Sequence, residues 1–351
     1  MKKIKTKHKI TLVDVAKEAG VSAITVSRTI RSPHMVSPKA REKVEAAVDA
    51  LGYVPDAAAS ALASNRTDVI GLLIPSLTNS VFAEVLRGMY DEIEGTPYSI
   101  QIGNYRYSPL TEEKLIRTFL CQKPAGLIVA GLDQTETSRK LLMEASCPIV
   151  QIMEFDKGPV DSMIGFSHFE AGAAATRHLI EQGYERIGFL GARMDPRSQR
   201  RLAGFRQELK SRGSLSTERT VTTPEASSVG LGAELLRELL VRAPDTDAIF
   251  CNNDDLAIGA LLEAQRRGIR IPEDFGICGF NDLEISKQLN PGLTSVATPR
   301  YRIGGAAIKT IVRSLETDSV TARKRLDLGF EVIPRGSSVL NLEQKNAQSL
   351  Q

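Results

Sequence analysis

The stretch TLVDVAKEAGVSAITVSR, residues 11–28, constrains this chain more than any other. Leu12, Val15, Ala16 and Ala19 recur at spacings of three and four, so a helix over about Thr11–Ala19 buries them on one face. Gly20 supplies a tight turn, and Ser22 is placed to cap a second helix. There Val26 and Ile30, four apart, are predicted to face inward, with Ile24 and Arg28 on the opposite side and Ala23 on the flank. This is the pattern of a helix-turn-helix, whose second helix enters the major groove of DNA. A third helix follows, with Ser37 as cap, Pro38 at its first position, Val44, Ala47, Val48 and Leu51 along it, and Gly52 as its stop. VPDAAASAL, residues 54–62, then reads as a short helix with proline near its first turn.

The outward residues of the second helix carry the chemistry. Arg28 suits a bidentate contact to guanine, and Ala23 and Ile24 suit thymine methyls. The hydroxyls of Ser22, Thr25 and Ser27, with Thr11 at the head of the first helix, suit phosphates, which fix register without reading sequence. Residues 1–66 hold 12 Lys and Arg against 6 Asp and Glu, while the remainder holds 33 against 36. A small basic module on a slightly acidic body fits a nucleic-acid footprint confined to one end. Lys2, Lys3, Lys5, Lys7 and Lys9 read equally as a solvated arm and as an arm that touches phosphates.

The rest must be a sensor or a partner. With 351 residues, 42% hydrophobic and 25% charged, the chain is of ordinary globular composition and long enough for two or three domains. No apolar run approaches the roughly 18 residues of a membrane helix, and no apolar stretch follows the basic N-terminus as in a signal peptide. Cys121, Cys147, Cys251 and Cys278 lie far apart with no CxxC pair, which reads as reduced core thiols in a cytoplasmic protein.

From Val69 onward strand-like and helix-like runs alternate. The strand candidates are 69–74, 99–103, 126–130, 149–153, 187–190, 248–251 and 276–279; the amphipathic stretches between them include 82–94, 169–182, 201–212 and 256–268. That alternation predicts an α/β body of βαβ units, with two parallel sheets covered on both faces. Ligands in such folds bind beyond the carboxyl ends of strands. Those positions are PSLTNSVF (75–82), GNYR (103–106), GARMDPR (191–197) with Arg200 and Arg201, NNDD (252–255) and FND (280–282). Hydroxyls, amides and a few aromatics suit a polyhydroxy ligand, and the arginines suit an anion. Asp254 and Asp255 are expected to cap the helix that follows them.

Catalytic equipment is missing: there is no GxGxxG, P-loop, GxSxG or HExxH. His168 beside Ser167 reads as a polar cleft residue rather than a catalytic pair, and NNDD lacks the further carboxylates a cation site needs. No cofactor and no metal are expected. An exported solute-binding module would share the body but leave the basic head unexplained.

LVDVAKEAGVS, TVSR, VSPKAREKV, LGYVP, the alanine-rich segment and IGLLIP, in that order, resemble the LacI family of bacterial repressors over nearly the whole chain. The resemblance implies a helix-turn-helix domain (1–53), a hinge helix and linker (54–66), an effector-binding and dimerisation core (67–340) and a tail (341–351). Within the core it implies an N-subdomain of about 67–165 and 298–326, and a C-subdomain of about 166–297 and 327–340. It places Ala59 and Leu62 at the minor groove, Leu62 as a wedge in the central base step. Asp56 departs from the uncharged or basic residue usual there. The implied partners are a palindromic operator, a small effector and a second copy of the chain, in a dimer or larger assembly. Carried over, Arg201 and Asn253 hold the effector, with Ser76, Asn79, Phe82 and Arg197 beside them; Asn281 stands where many members carry an aspartate, a change that favours an anion. PSLTNSVFAEVLRG, LGAR, NDDLAIG and LDLGF are similar to the gluconate-operon branch, which implies a sugar acid; Ser167-His168 departs from that branch's Asp-Asn. Inducer and co-repressor remain alternatives, since they differ only in the conformation the ligand prefers.

Overall fold

The computed structural model describes residues 10–31, 35–54, 66–316 and 323–340. The lysine-rich arm, the tail and the segment carrying Asp56, Ala59 and Leu62 lie outside the described residues. The chain forms two compact units, Met1–Thr67 and Asp68–Gln351.

In the first unit, α1 (Leu12–Ala19) opens with a capping box. The Thr11 N–H donates to Asp14 Oδ2 at 2.8 Å and the Asp14 N–H donates to Thr11 Oγ1 at 3.4 Å. Gly20, at φ 65°, ends α1 in the left-handed region that glycine tolerates. α2 (Ala23–Arg31) is capped by Ser22, whose Oγ accepts the Thr25 N–H at 3.1 Å. α3 (Pro38–Leu51) begins at the expected place, but the Ser37 side chain makes no capping hydrogen bond. Val15, Ala16, Ala19, Val26, Val44, Ala47 and Tyr53 form one core. The expectation for Ile30 fails: it is 37% exposed, and Thr29 turns inward instead. Thr29 can be buried without an unpaired group because its hydroxyl donates to the Thr25 carbonyl at 2.9 Å.

The second unit has two six-stranded sheets. The first is built from β1 (Val69–Ile74), β2 (Ser99–Asn104), β3 (Gly126–Ala130), β4 (Ile149–Ile152) and β5 (Ser162–Gly165), connected by α4 (Ser80–Ile93), α5 (Pro109–Cys121) and α6 (Glu136–Met143). After α7 (His168–Glu181), the second runs through β6 (Ile187–Ala192), α8 (Pro196–Ser211), β7 (Thr220–Thr223), α9 (Val229–Arg242), β8 (Ala248–Cys251), α10 (Asp254–Arg266), β9 (Gly276–Asn281) and β10 (Thr294–Ala297). α11 (Arg300–Glu316) returns to pack on α4, β11 (Arg325–Asp327) joins the first sheet and β12 (Glu331–Ile333) the second. The chain therefore passes between the sheets three times. The orders are β11-β5-β4-β3-β1-β2 and β12-β10-β9-β8-β6-β7, parallel throughout except for β10 with β12. VIGLLI and GLIVA are near-continuous apolar runs, as strands covered on both faces require. Each fully buried Leu or Ile there contributes about 1.5–3 kcal/mol.

In each sheet the strand order reverses beside the first strand, with β2 and β3 flanking β1, and β7 and β8 flanking β6. A crevice opens at such a switch point, outside the carboxyl ends of the strands. Two glycines bring the helices behind it close together. A Cβ on Gly172 of α7 would lie 2.3 Å from the Arg201 carbonyl oxygen, and one on Gly204 of α8 would lie 2.1 Å from that of Phe169. No larger residue fits at this crossing, and it sets His168 beside Arg201.

Candidate functional site

A narrow cavity of about 60 Å³ lies between the strand ends of the two sheets. Asn79, Phe82, Tyr107 and Met153 line it from the first sheet's side; His168, Arg193, Asp195, Arg197, Ser198, Arg201, Asn253 and Asn281 line it from the second. The backbone is strained around this rim: Tyr107, Met153, Arg193, Met194, Asn281 and Asp282 all have positive φ. For residues other than glycine such conformations are costly, and they concentrate at functional sites.

Arg201 is the most constrained cation. Its Nε–H donates to His168 Nδ1 at 3.1 Å, one Nη1–H donates to the Asn252 carbonyl, and its guanidinium carbon sits 3.8 Å from the centroid of the Phe280 ring. Burial lowers its pKa to about 10, leaving it charged at neutral pH. Its other N–H groups have no protein acceptor among the described residues, and the side chain lines the cavity. His168, fully buried, sits with its Nε2 at 2.9 Å from the Met153 carbonyl. Acceptance at Nδ1 assigns the proton to Nε2. Burial, then the nearby arginines, hold its pKa well below 6.5, so the ring is neutral.

Asp195 caps α8, its Oδ1 accepting the Ser198 N–H at 2.9 Å, and pairs with Arg197 at 3.3 Å. Burial opposes both charges, but the pairing wins: Asp195 is held below the ordinary carboxylate range and Arg197 is raised. With three arginines, one aspartate and a neutral histidine, the lining carries an excess of two positive charges. Such a lining suits an anion, with hydroxyl and amide groups around it.

The amides are set by their own bonds. Asn79 caps α4 through the Val81 N–H at 3.0 Å, and its Nδ2 reaches Tyr107 Oη at 3.5 Å. Asn253, not Asp254 or Asp255, caps α10, accepting the Leu256 N–H at 3.1 Å. Asp254 is instead a buried hub, accepting from the Leu283 N–H at 2.7 Å, Ser286 at 2.9 Å and Ser295 at 2.6 Å. Asn281 ends β9 and is buried. Ser76 does not line the cavity; its Oγ accepts the N–H groups of Thr78 and Asn79 and shapes the loop.

Arg193, Asp195 and Ser198 belong to or adjoin the run GARMDPR, and Tyr107 adjoins GNYR, both singled out by their place after a strand. His168, expected only as a polar cleft residue, lines the cavity and holds Arg201. Two contacts join the sides of the crevice: the Arg193 guanidinium stands 4.0 Å over the Tyr107 ring, and Arg200 bonds both Asp133 and Glu154 at 3.0 Å.

In the first unit, Ile24 (65% exposed) and Arg28 lie together on the outer face of α2. Ala23, Thr25 and Ser27 are half-buried beside them, and Thr11 and Ser22 are exposed at helix starts. Ser22 and Thr25 hydroxyls lie 2.9 Å apart.

Residues 11–56 match the profile of bacterial regulatory proteins of the lacI family, and residues 176–338 that of a periplasmic binding protein-like domain. The HTH-type transcriptional regulator GntR of Pseudomonas aeruginosa is 40% identical over 337 residues, covering 96% of this chain and 98% of that protein. GntR of Escherichia coli is 38% identical, covering 94% and 99%. A crystal structure of a LacI-family transcriptional regulator from Silicibacter pomeroyi superposes with a TM-score of 0.87 at 37% identity, covering 94% of this chain and all of that one. No described helix is long and apolar enough to cross a membrane.

Proposed function

Because the chain belongs to the LacI family of bacterial regulatory proteins, we propose that it is a transcriptional repressor released from its operator by a sugar acid of the gluconate or ketogluconate class. The excess of positive charge in a hydroxyl- and amide-lined crevice is the observation that carries the ligand class. A carboxylate meets Arg201 and Arg197, and the hydroxyls of the chain meet Asn79, Asn253, Asn281 and Ser198. A neutral sugar would leave the buried Arg201 guanidinium without a counter-charge, so the site selects against it. The protein acts in the cytoplasm as a homodimer on a palindromic site, because one recognition helix per chain is too small a reader for operator-scale specificity. Arg28, Ile24 and Ala23 read bases, while Thr11, Ser22, Thr25 and Ser27 hold phosphates. Ala59 and Leu62 engage the minor groove.

Ligand and DNA prefer different arrangements of the same molecule, so the coupling is reciprocal. If the sugar acid weakens operator binding tenfold, the operator weakens sugar-acid binding tenfold, about 1.4 kcal/mol. The test is titration of a labelled duplex, selected by the protein from a random pool, with gluconate and 2-ketogluconate at fixed salt. Release supports the reading. Tighter DNA binding would make the ligand a co-repressor, and no response to either acid would remove the ligand class.

A further inference from the structure

A second and larger cavity, of about 210 Å³, lies beside the first. Tyr107, Arg193, Asp195 and Arg197 line both and form the partition between them. Beyond it the walls are the rings of Tyr105, Pro109 and Pro196, and the floor is Glu112 and Gln134, at the carboxyl ends of β2 and β3.

The chemistry differs from that of the first cavity. Glu112, 4% exposed, accepts the Gln134 Nε2–H through Oε1 at 3.3 Å; Gln134 Nε2 also donates to the Gly131 carbonyl at 3.2 Å and its Oε1 accepts from Gln151 at 2.8 Å. The amide is thus held in place while Glu112 Oε2 has no bonded partner among the described residues. Asp133 is engaged by Arg200 and Asp195 by Arg197, and the Tyr105 hydroxyl donates to the Ala130 carbonyl at 3.2 Å. What is left uncompensated is one acceptor on the floor and Arg193 at the partition. An anion would meet the Glu112 and Asp133 carboxylates; a cation would meet Arg193 and Arg197. A neutral ligand with an apolar face and several hydroxyls meets neither penalty.

We propose that this chamber is a second ligand site, for a neutral hexose-sized sugar whose hydroxyls bond Glu112 and whose C–H face packs on the tyrosine and proline rings. Arg193, Asp195, Pro196 and Arg197 come from the second subdomain, and Tyr105, Tyr107 and the floor from the first, so occupancy favours the same arrangement of the two subdomains as the sugar acid. The two ligands bind together, each tightening the other.

The test is calorimetry on the full-length protein with D-glucose, D-galactose and D-mannose, with and without saturating gluconate. At least one hexose binds once per chain in the presence of gluconate, and Arg201→Ala retains it. Glu112→Leu weakens that hexose at least tenfold and keeps gluconate, which also reports that the variant is folded. Failure of all three hexoses to bind the wild type, or strict competition with gluconate, overturns the proposal; the hexose arm stands whether or not gluconate binds. Should Glu112→Leu not fold, Glu112→Gln supplies a second readout. Burial pushes the Glu112 carboxyl up to about 7, with Asp133 in the same direction and Gln134 and Arg197 opposing. Tyr107, Arg193, Asp195 and Tyr105 also face the chamber; burial raises the Tyr105 hydroxyl and the pairing with Arg197 lowers Asp195, both away from neutrality. The ionised carboxylate is the stronger acceptor, so hexose affinity rises several-fold between pH 6 and 8 in the wild type and is flat in Glu112→Gln. A flat wild-type profile removes Glu112 from the site.

Discussion

The Arg201 Nε–H donates to His168 Nδ1 at 3.1 Å, so the cation at the centre of the crevice is aimed by a neutral imidazole. The ring is pinned in turn by the Met153 carbonyl and lies against Phe166 and Phe280, with centroids 4.5 and 5.9 Å away. Met153 holds that carbonyl in place from a left-handed backbone, φ 65°. The chain of support runs from the end of β4 through α7 to α8. A carboxylate in place of His168 would neutralise Arg201, whereas the neutral imidazole orients it and leaves its charge uncompensated.

Replacing His168 with glutamine should weaken the sugar acid and change how stability responds to acid. The folded-state pKa lies below that of the unfolded chain, so stability from this group is complete above about pH 6.5 and is lost as pH falls below it. His178 is shifted in the same direction by burial, and Glu112 and Glu154, raised by burial, act in the opposite sense as pH rises from 4.5. The difference between wild type and His168→Gln therefore isolates the residue. Melting temperatures measured from pH 5 to 8 should fall more steeply below pH 6.5 in the wild type than in the variant. Parallel curves would mean that folding leaves the His168 pKa unshifted, and a divergence of the opposite sign would mean that the ring is charged in the folded protein.

Arg201→Ala should cost at least tenfold in gluconate affinity, since a buried charge-assisted contact is worth about 1.5–3 kcal/mol. Arg201→Lys should not restore it. Lysine cannot donate to His168 Nδ1 and the Asn252 carbonyl in one plane while presenting a further N–H pair. Calorimetry with gluconate and glucose side by side is the check: equal affinities in the wild type would mean that the arginines do not select charge.

The same residues mark how far the chain could be read in advance. The long apolar strands and the helix-turn-helix follow from periodicity, because burial on both faces, or on one helical stripe, leaves a repeating mark. β5, β7, β10, β11 and β12 have only three or four residues, several of them Ser or Thr, and their pairing is set by neighbours distant in sequence. Strand ends located the crevice and most of its arginines. They did not reveal that α8 begins at Pro196, so that Arg197 lies in its first turn and Asp195 caps it. Nor could spacing separate Thr29 from Ile30, which flank Val26 at similar angles on α2; the choice rests on packing against α1 and α3.

Arg200 ties the two sides of the crevice through Asp133 and Glu154, and Glu154 is 1% exposed. Removing the arginine leaves a buried carboxyl without its cation. Arg200→Met should destabilise by about 1.5–3 kcal/mol and lower the melting temperature by several degrees. Adding Glu154→Gln should recover part of the loss, because an amide needs no counter-charge. Purely additive losses in the double variant would show that the two residues do not interact.

On α2, Arg28 and Ile24 stand one turn apart on the exposed face, while the hydroxyls of Ser22 and Thr25 lie at its start. The proposed function divides base reading and phosphate holding between the face and the end of this one helix. Arg28→Ala should cost about 1–3 kcal/mol on the selected duplex and relax preference at one base pair in each half-site. Binding to unrelated DNA should change far less, because phosphate contacts elsewhere supply that term. Plots of log K against log salt test the division: losing a base contact leaves the slope nearly unchanged, whereas losing a phosphate contact lowers it by about one per site. If Arg28→Ala lowers the slope and keeps the base preference, Arg28 holds the backbone and another residue on this face reads the sequence.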